Sequence, residues 1–253
     1  MAWIETVSPS FRARHSSGLS REAARLLESL ETLRDNLDRY FPRTVGDLTI
    51  VIHESSASLS AASPLLPLSR ALTDPAMRRY IAGWGGRNEL HVLSPRALAT
   101  RAAKVTGSRE MLSLTTDVLY TRRVIIENNP DLARAGALRQ LAINARWAWL
   151  IEGSSRWFAG QTDHARPAIA RRLREGRRPS FPPSLRDAAL LGGTVIDLLA
   201  REQGTRAAAT LATRLHPQGP RAAITQAFRG RAFVNTEGEW HAHLARLADA
   251  AER

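Results

Sequence analysis

The apolar residues of this chain change their period at Ser108, and that change limits the fold more than any other feature. Before Ser108, short β-rich runs alternate with helical ones; after it, apolar residues recur at helical spacing to the C-terminus. Trp3–Val7 and Phe11–Arg14 alternate like strands, with Ser8-Pro9-Ser10 as the turn between them. Ser20 opens a helix whose apolar positions, Ala24, Leu27, Leu30, Leu33, Leu37 and Tyr40, run to Pro42. Leu48-Thr49-Ile50-Val51-Ile52-His53 reads as a core strand, followed by a long Ser/Pro-rich loop. Tyr80–Leu93 has the form strand, Gly-rich turn, strand, and Ser94-Pro95 starts a short helix. Beyond Ser108 the expected helices are Leu112–Glu127, Leu132–Ala148, Trp149–Gly160, Leu185–Ala200, Thr205–Leu215, Pro220–Phe228 and Gly238–Leu247, with Pro179–Pro183 as a rigid connector. Strands gathered at one end and helices at the other define an α+β protein. The expectation is a small N-terminal mixed β-sheet with helices (residues 1–107) packed on a C-terminal all-helical lobe (108–253), with a cleft between them.

Charge narrows function less than its size suggests. The chain carries +12 at pH 7, which invites a nucleic-acid reading. Yet Lys104 is its single lysine, and the abundance of arginine, alanine and leucine matches a GC-rich coding bias. The one dense basic run, Arg166–Arg178, holds Arg171, Arg172, Arg174, Arg177 and Arg178 but no aromatic residue on which a base could stack. It reads as a solvated helix and loop. The absence of cysteine removes disulfides, thiolate zinc sites and cysteine nucleophiles. The longest apolar stretch, Ala188–Ala200, is shorter than the ~20 residues of a membrane helix and contains Asp197, so no transmembrane segment is expected. Met1–Glu5 shows neither a basic nor an apolar leader region; the expected location is cytoplasmic, or exported if a leader has been removed.

Familiar catalytic patterns are missing. Lys104 lacks the glycines and the following Ser/Thr of a phosphate loop, and no Gly-x-Ser-x-Gly elbow occurs. A zinc hydrolase of the HExxH type needs imidazoles at i and i+4 on a helix, with glutamate at i+1 to deprotonate the metal-bound water. None of the histidines at 15, 53, 91, 164, 216, 241 and 243 has a partner four residues away. His53-Glu54 begins the pattern, but Ala57 stands where the second histidine belongs. His241 and His243, two apart on a helix, read as surface or interface residues.

The sharpest pattern is Trp147-Ala148-Trp149-Leu150-Ile151-Glu152-Gly153-Ser154-Ser155-Arg156-Trp157-Phe158-Ala159-Gly160. It resembles the P-x-W-L-x-E-G-x-A-x-Y helix of the gluzincin, or peptidase MA-like, metallopeptidases. The order of the N-terminal helix, the Ile50-Val51-Ile52 strand, the Gly-Trp-Gly-Gly segment and the closing Glu239-Trp240-x-x-x-Leu244 helix is similar to that family as well. The resemblance implies a zincin-like (thermolysin-like) architecture spanning nearly the whole chain. It makes Glu152 the third zinc ligand's position, with Trp149, Leu150, Gly153, Trp157 and Phe158 wedging its helix against the one that bears HExxH.

That upstream helix should be Leu112–Glu127, and it contains no histidine. The register that fits best sets Thr121 and Ile125 at the histidine positions and Arg122 at the general base; a shift by one residue recovers no ligand. One carboxylate cannot hold a catalytic zinc that takes three protein ligands, so neither metal nor cofactor is expected. The reading is a degenerate, non-catalytic peptidase whose cleft binds a peptide or protein or serves as scaffold. Arg122 or Arg123 would then stand in for the metal's charge beside Glu152, while the plainer arrangement pairs Glu152 with Arg156 one helical turn away. Two other readings stay open. One is an active zinc peptidase with a non-standard site that recruits His53, His91, His164 or Asp163; the other is a basic nucleic-acid-binding module.

Overall fold

A computed structural model describes residues 3–133, 137–175 and 178–252. β1 (Trp3–Val7) and β2 (Phe11–Ser16) pair antiparallel. The turn between them is held by Glu31, whose Oε1 accepts from Ser8 Oγ at 2.6 Å and from the Ser10 N–H at 2.7 Å. α1 (Ser20–Asp38) carries Glu31 and crosses to β3 (Leu48–His53), which lies parallel to β2. After α2 (Ser56–Ala62) and α3 (Leu66–Leu72), β4 (Gly83–Gly85) and β5 (Glu89–Leu93) complete a mixed five-stranded sheet in the order β1-β2-β3-β5-β4. The helices that follow are α4 (Pro95–Arg101), α5 (Ser108–Ser113), α6 (Thr115–Glu127), α7 (Pro130–Ala133) and α8 (Ala137–Phe158). α9 (Arg166–Arg174), α10 (Ala188–Gln203), α11 (Thr205–Ala212), α12 (Pro220–Ala227) and α13 (Phe233–Glu252) close the chain. The protein is α+β. Among the described residues no helix is long and apolar enough to cross a membrane.

Strand alternation decides which sheet face is covered. Phe11, Ala13, Ile50, Ile52, Leu90 and Val92 share one face and bury against Ala23, Leu27 and Leu30 of α1. Tyr120, Val124 and Ile125 of α6 enter the same cluster, as do Ala209 and Ala212 of α11. The sheet's core therefore crosses residue 107 and uses helices from the second stretch. A second cluster joins α8–α13 to residues of α2–α5 and β5, and in it Trp240 is fully buried and donates its indole N–H to Thr194 Oγ1 at 2.8 Å.

α8 and α10 meet backbone to backbone. A Cβ added to Gly153 would lie 2.3 Å from the carbonyl carbon of Gly192, and one on Gly192 would lie 2.3 Å from the carbonyl oxygen of Trp149. No larger residue fits at either position without separating the helices. Gly153 thus sits mid-helix despite its ~1 kcal/mol propensity cost relative to alanine, because it lets the helices close.

Several boundaries differ from the sequence expectation, each for a local reason. The Ser/Pro-rich stretch holds α2 and α3: Ser55 Oγ accepts from the Ser58 N–H, Pro67 fits the first turn of α3, and Leu59 and Leu66 bury fully. In the Tyr80–Leu93 segment the glycines form the strand β4 itself, and the turn is Gly86–Asn88. The Leu112–Glu127 helix breaks at Leu114 into α5 and α6. Ala148 and Trp149 belong to one helix, since nothing between them breaks it; α8 ends where Gly160 turns to φ 75°.

In the basic run Arg171, Arg174 and Arg178 are exposed, but Arg172 is buried and pairs with Asp187 through two bonds of 2.9 and 3.0 Å. Asp74, fully buried, faces the same guanidinium at 3.8 Å and pairs with Arg186 at 3.1 Å. Arg177 lies outside the described residues.

Candidate functional site

Glu152 lies on the face of α8 that looks toward α6 and β4. It closes a pocket of about 230 Å³ whose walls include Ile81, Gly83, Val118, Leu119, Arg122 and Arg156. Arg122 Nη1 stands 3.2 Å from Glu152 Oε1, and Arg156 Nη1 stands 2.5 Å from Oε2. The side chains of Arg122, Glu152 and Arg156 are 31%, 23% and 9% exposed, so this is a half-buried cluster at a pocket wall and not a surface pair. Burial alone would raise the Glu152 pKa, but the charges of Arg122 and Arg156 and the Arg156 hydrogen bond outweigh it and hold the carboxyl below the usual carboxylate range. Two guanidinium groups share one carboxylate, leaving one positive charge in excess.

β4 supplies the opposite wall and is one edge strand of the sheet, with Gly83 buried and Gly85 exposed. The Gly86 N–H donates to the Glu89 carbonyl at 2.8 Å, and Trp84 lies opposite His91. Antiparallel alternation then directs the backbone groups of Trp84 toward β5 and those of Gly83 and Gly85 away from it. Gly83 is required there, because a Cβ would stand 2.8 Å from both the His91 carbonyl oxygen and the Leu119 side chain. Its absence lets α6 approach the strand. A wider hollow of about 500 Å³ shares Trp84, Gly85, Leu119 and Arg122 with the pocket, so the two hollows adjoin at β4 and Arg122.

The register proposed for α6 needs correction. Thr121 and Ile125 are fully buried, and Ile125 belongs to the core beneath the sheet; neither lines the pocket. The α6 residues that do are Thr115, Val118, Leu119 and Arg122. Of these Arg122 contacts Glu152, and Val118 lines the same pocket one turn before it, a different stripe from the tightly packed sheet-side one that set the expectation. Arg123 turns away, pairing with Glu127 at 2.8 Å and donating to the Arg87 carbonyl at 3.0 Å. Trp149, Leu150 and Gly153 are buried, and Trp157 donates to Asp197 Oδ1 at 3.3 Å. Phe158 packs edge-on against Phe41 with ring centroids 4.9 Å apart.

The recruited candidates do not gather around Glu152. His53 and His91 bond each other, Nε2 to Nδ1 at 3.1 Å, and face away from the covered side of the sheet. Neither they nor His164 nor Asp163 lines the pocket. His243 is buried within the chain, where the reading was a surface or interface residue: its Nε2 lies 2.9 Å from Asp197 Oδ2, which also accepts from Arg201 at 2.8 Å. Asp197 is the lone acid of the apolar α10 stretch. That isolation was the available signal for a buried polar cluster.

Gln161, 2% exposed, also lines the pocket and donates to the Met111 carbonyl at 2.6 Å. No sequence pattern marked it, since the 3-10 turn that places it follows a helix end fixed only by Gly160. Scanned against models of known protein families and against curated protein sequences, the chain matches none.

Proposed function

We propose that the chain is a non-catalytic, peptidase-like protein that binds an extended peptide along the β4 edge of the sheet. The observation that carries this reading is the cleft itself. The exposed Gly85 turns its backbone groups away from β5, beside a pocket that ends at Arg122, Glu152 and Arg156. A sheet edge of this kind accepts an added strand through main-chain bonds, and neighbouring hollows select side chains.

The surroundings of Glu152 do not suit zinc. Its two nearest charged neighbours are guanidinium groups, which repel a dication, and α6 contributes Thr115, Val118, Leu119 and Arg122 to the pocket. Catalytic zinc takes three neutral or anionic protein ligands. In this reading the guanidinium groups neutralise Glu152 as a metal would, without providing an activated water. The zincin-like architecture suggested by the Trp-Leu-x-Glu-Gly helix rests on the same apposition of α6, α8 and an edge strand.

The test is to incubate the protein with a tryptic digest of casein, with and without added zinc, and to analyse retained and free peptides by mass spectrometry. Retention without new cleavage is expected. Gly85→Pro, which removes an edge N–H while leaving the β5 pairing, should abolish retention in a protein that still folds by circular dichroism. Cleavage products, or retention unchanged by Gly85→Pro, would overturn the reading.

A further inference from the structure

We infer that the pocket at Glu152 selects a carboxylate on the bound peptide, either its C-terminal group or the side chain of an acidic residue. This deepens the peptide-binding reading, on which it rests. Three observations lead to it. First, the two guanidinium groups share the single Glu152 carboxylate, so the pocket wall keeps one uncompensated positive charge. A second carboxylate would bring the cluster to neutrality. Second, the guanidinium donors are not used up. Among the described residues, Arg122 has no partner besides Glu152, and the side chain of Arg156 bonds only to Glu152. Planar guanidinium groups favour paired bonds to carboxylates, and it is their Nη groups that can offer them here. Third, size fits an end group. At about 230 Å³ the pocket is smaller than the ~300–1,000 Å³ that encloses a drug-sized ligand.

The wall chemistry sharpens this selection. Ile81, Val118, Leu119 and Leu185 are apolar and lower the local dielectric, which strengthens a charge pair formed against them. In the adjoining hollow, Arg87 and Arg123 outnumber Glu127, so the field favours an acidic peptide on the approach as well. Glu152 acts as a positioning residue: it holds both guanidinium groups at the pocket wall and does not itself bond the ligand.

The experiment is calorimetric titration with four N-acetylated alanine-based pentapeptides: one with a free C-terminus, one amidated, and two amidated with a central glutamate or glutamine. Acid-bearing peptides should bind ~10-fold or more tightly than their neutral counterparts. That preference should shrink on adding salt and fall to near unity in Arg122→Gln and Arg156→Gln, with partial recovery in Arg122→Lys. The stronger of the two acidic peptides identifies the source of the carboxylate. Equal binding by all four would overturn the carboxylate inference and leave the peptide reading intact. If no peptide binds, but succinate raises the melting temperature of the natural protein and not of Arg122→Gln, the carboxylate pocket stands and the peptide reading falls. If neither binds, both fall.

Discussion

The two sides of α8 are built on opposite rules. Toward α10 the helix has given up side chains, and Gly153 and Gly192 bring the backbones into contact. Toward α6 it projects Glu152 and Arg156, and the space between the helices stays open as a pocket. The closed side also carries satisfied polar groups, with Asp197 bonded to Trp157, Arg201 and His243. The open side carries the guanidinium groups of Arg122 and Arg156, whose Nε atoms are buried without hydrogen-bond partners among the described residues, as are Trp149 Nε1 and Ser154 Oγ elsewhere on α8. A rigid seam on one face lets the other hold charged groups apart at fixed distances. Stability and binding are thereby divided between the faces of one helix.

The largest effect should come from breaking the closed seam. Gly153→Val places side-chain atoms where the Gly192 backbone lies and should cost upward of about 3 kcal/mol. Thermal denaturation should show a large drop in melting temperature or no cooperative transition. A small effect would mean that α8 and α10 are not in contact. Next is the polar cluster on the same side. Burial raises the Asp197 pKa, but bonds from His243, Arg201 and Trp157 prevail and bring it to about 2. Its folded pKa lies below the unfolded value, so the stabilisation is present above pH ~4 and lost as pH falls toward 2. Asp197→Asn should destabilise by ~2 kcal/mol at neutral pH and flatten the acid limb of a stability–pH profile. An unchanged limb would place the acid sensitivity elsewhere.

The smallest effect has the opposite sign and lies away from the Glu152 pocket, at a hollow lined by α1, α4, α5 and α6. Asp117, in the first turn of α6, is pushed up to about 6 by burial. The folded protein then binds a proton that the unfolded chain releases, so stability declines as pH rises from ~4 to 6 and stays lower above it. Asp117→Asn should therefore stabilise by about 1–2 kcal/mol at pH 7, with the gain vanishing below pH 4. A stability loss at pH 7 would show that Asp117 is compensated by a partner.

The sequence exposed what depends on periodicity and hid what depends on distant contacts. β2, α1, β3 and the helical second half followed from residue spacing, because each buries an apolar face in one of the two cores, while the mostly exposed β1 followed from its alternation and the turn after it. Glu152 stood out through the aromatic and glycine residues around it, whose burial and close packing are local demands of α8. The α6 register did not follow, since Thr121 and Ile125 lie on the helix's buried stripe and Arg122 on its pocket side, and both stripes contain apolar residues. The convergence of Arg122 and Arg156 on one carboxylate is tertiary information. So is the pairing of Asp197 with His243, forty-six residues apart.

In the proposed reading α6 and α8 face each other as ligand-bearing helices of a metallopeptidase would, with guanidinium groups in the place of a metal. Zinc titration of a Val118→His, Arg122→His, Arg156→Gln variant tests it most directly. The account predicts one zinc bound per chain, with binding lost when Glu152→Gln is added. A folded variant that binds no zinc, or binds it equally without the Glu152 carboxylate, would contradict it.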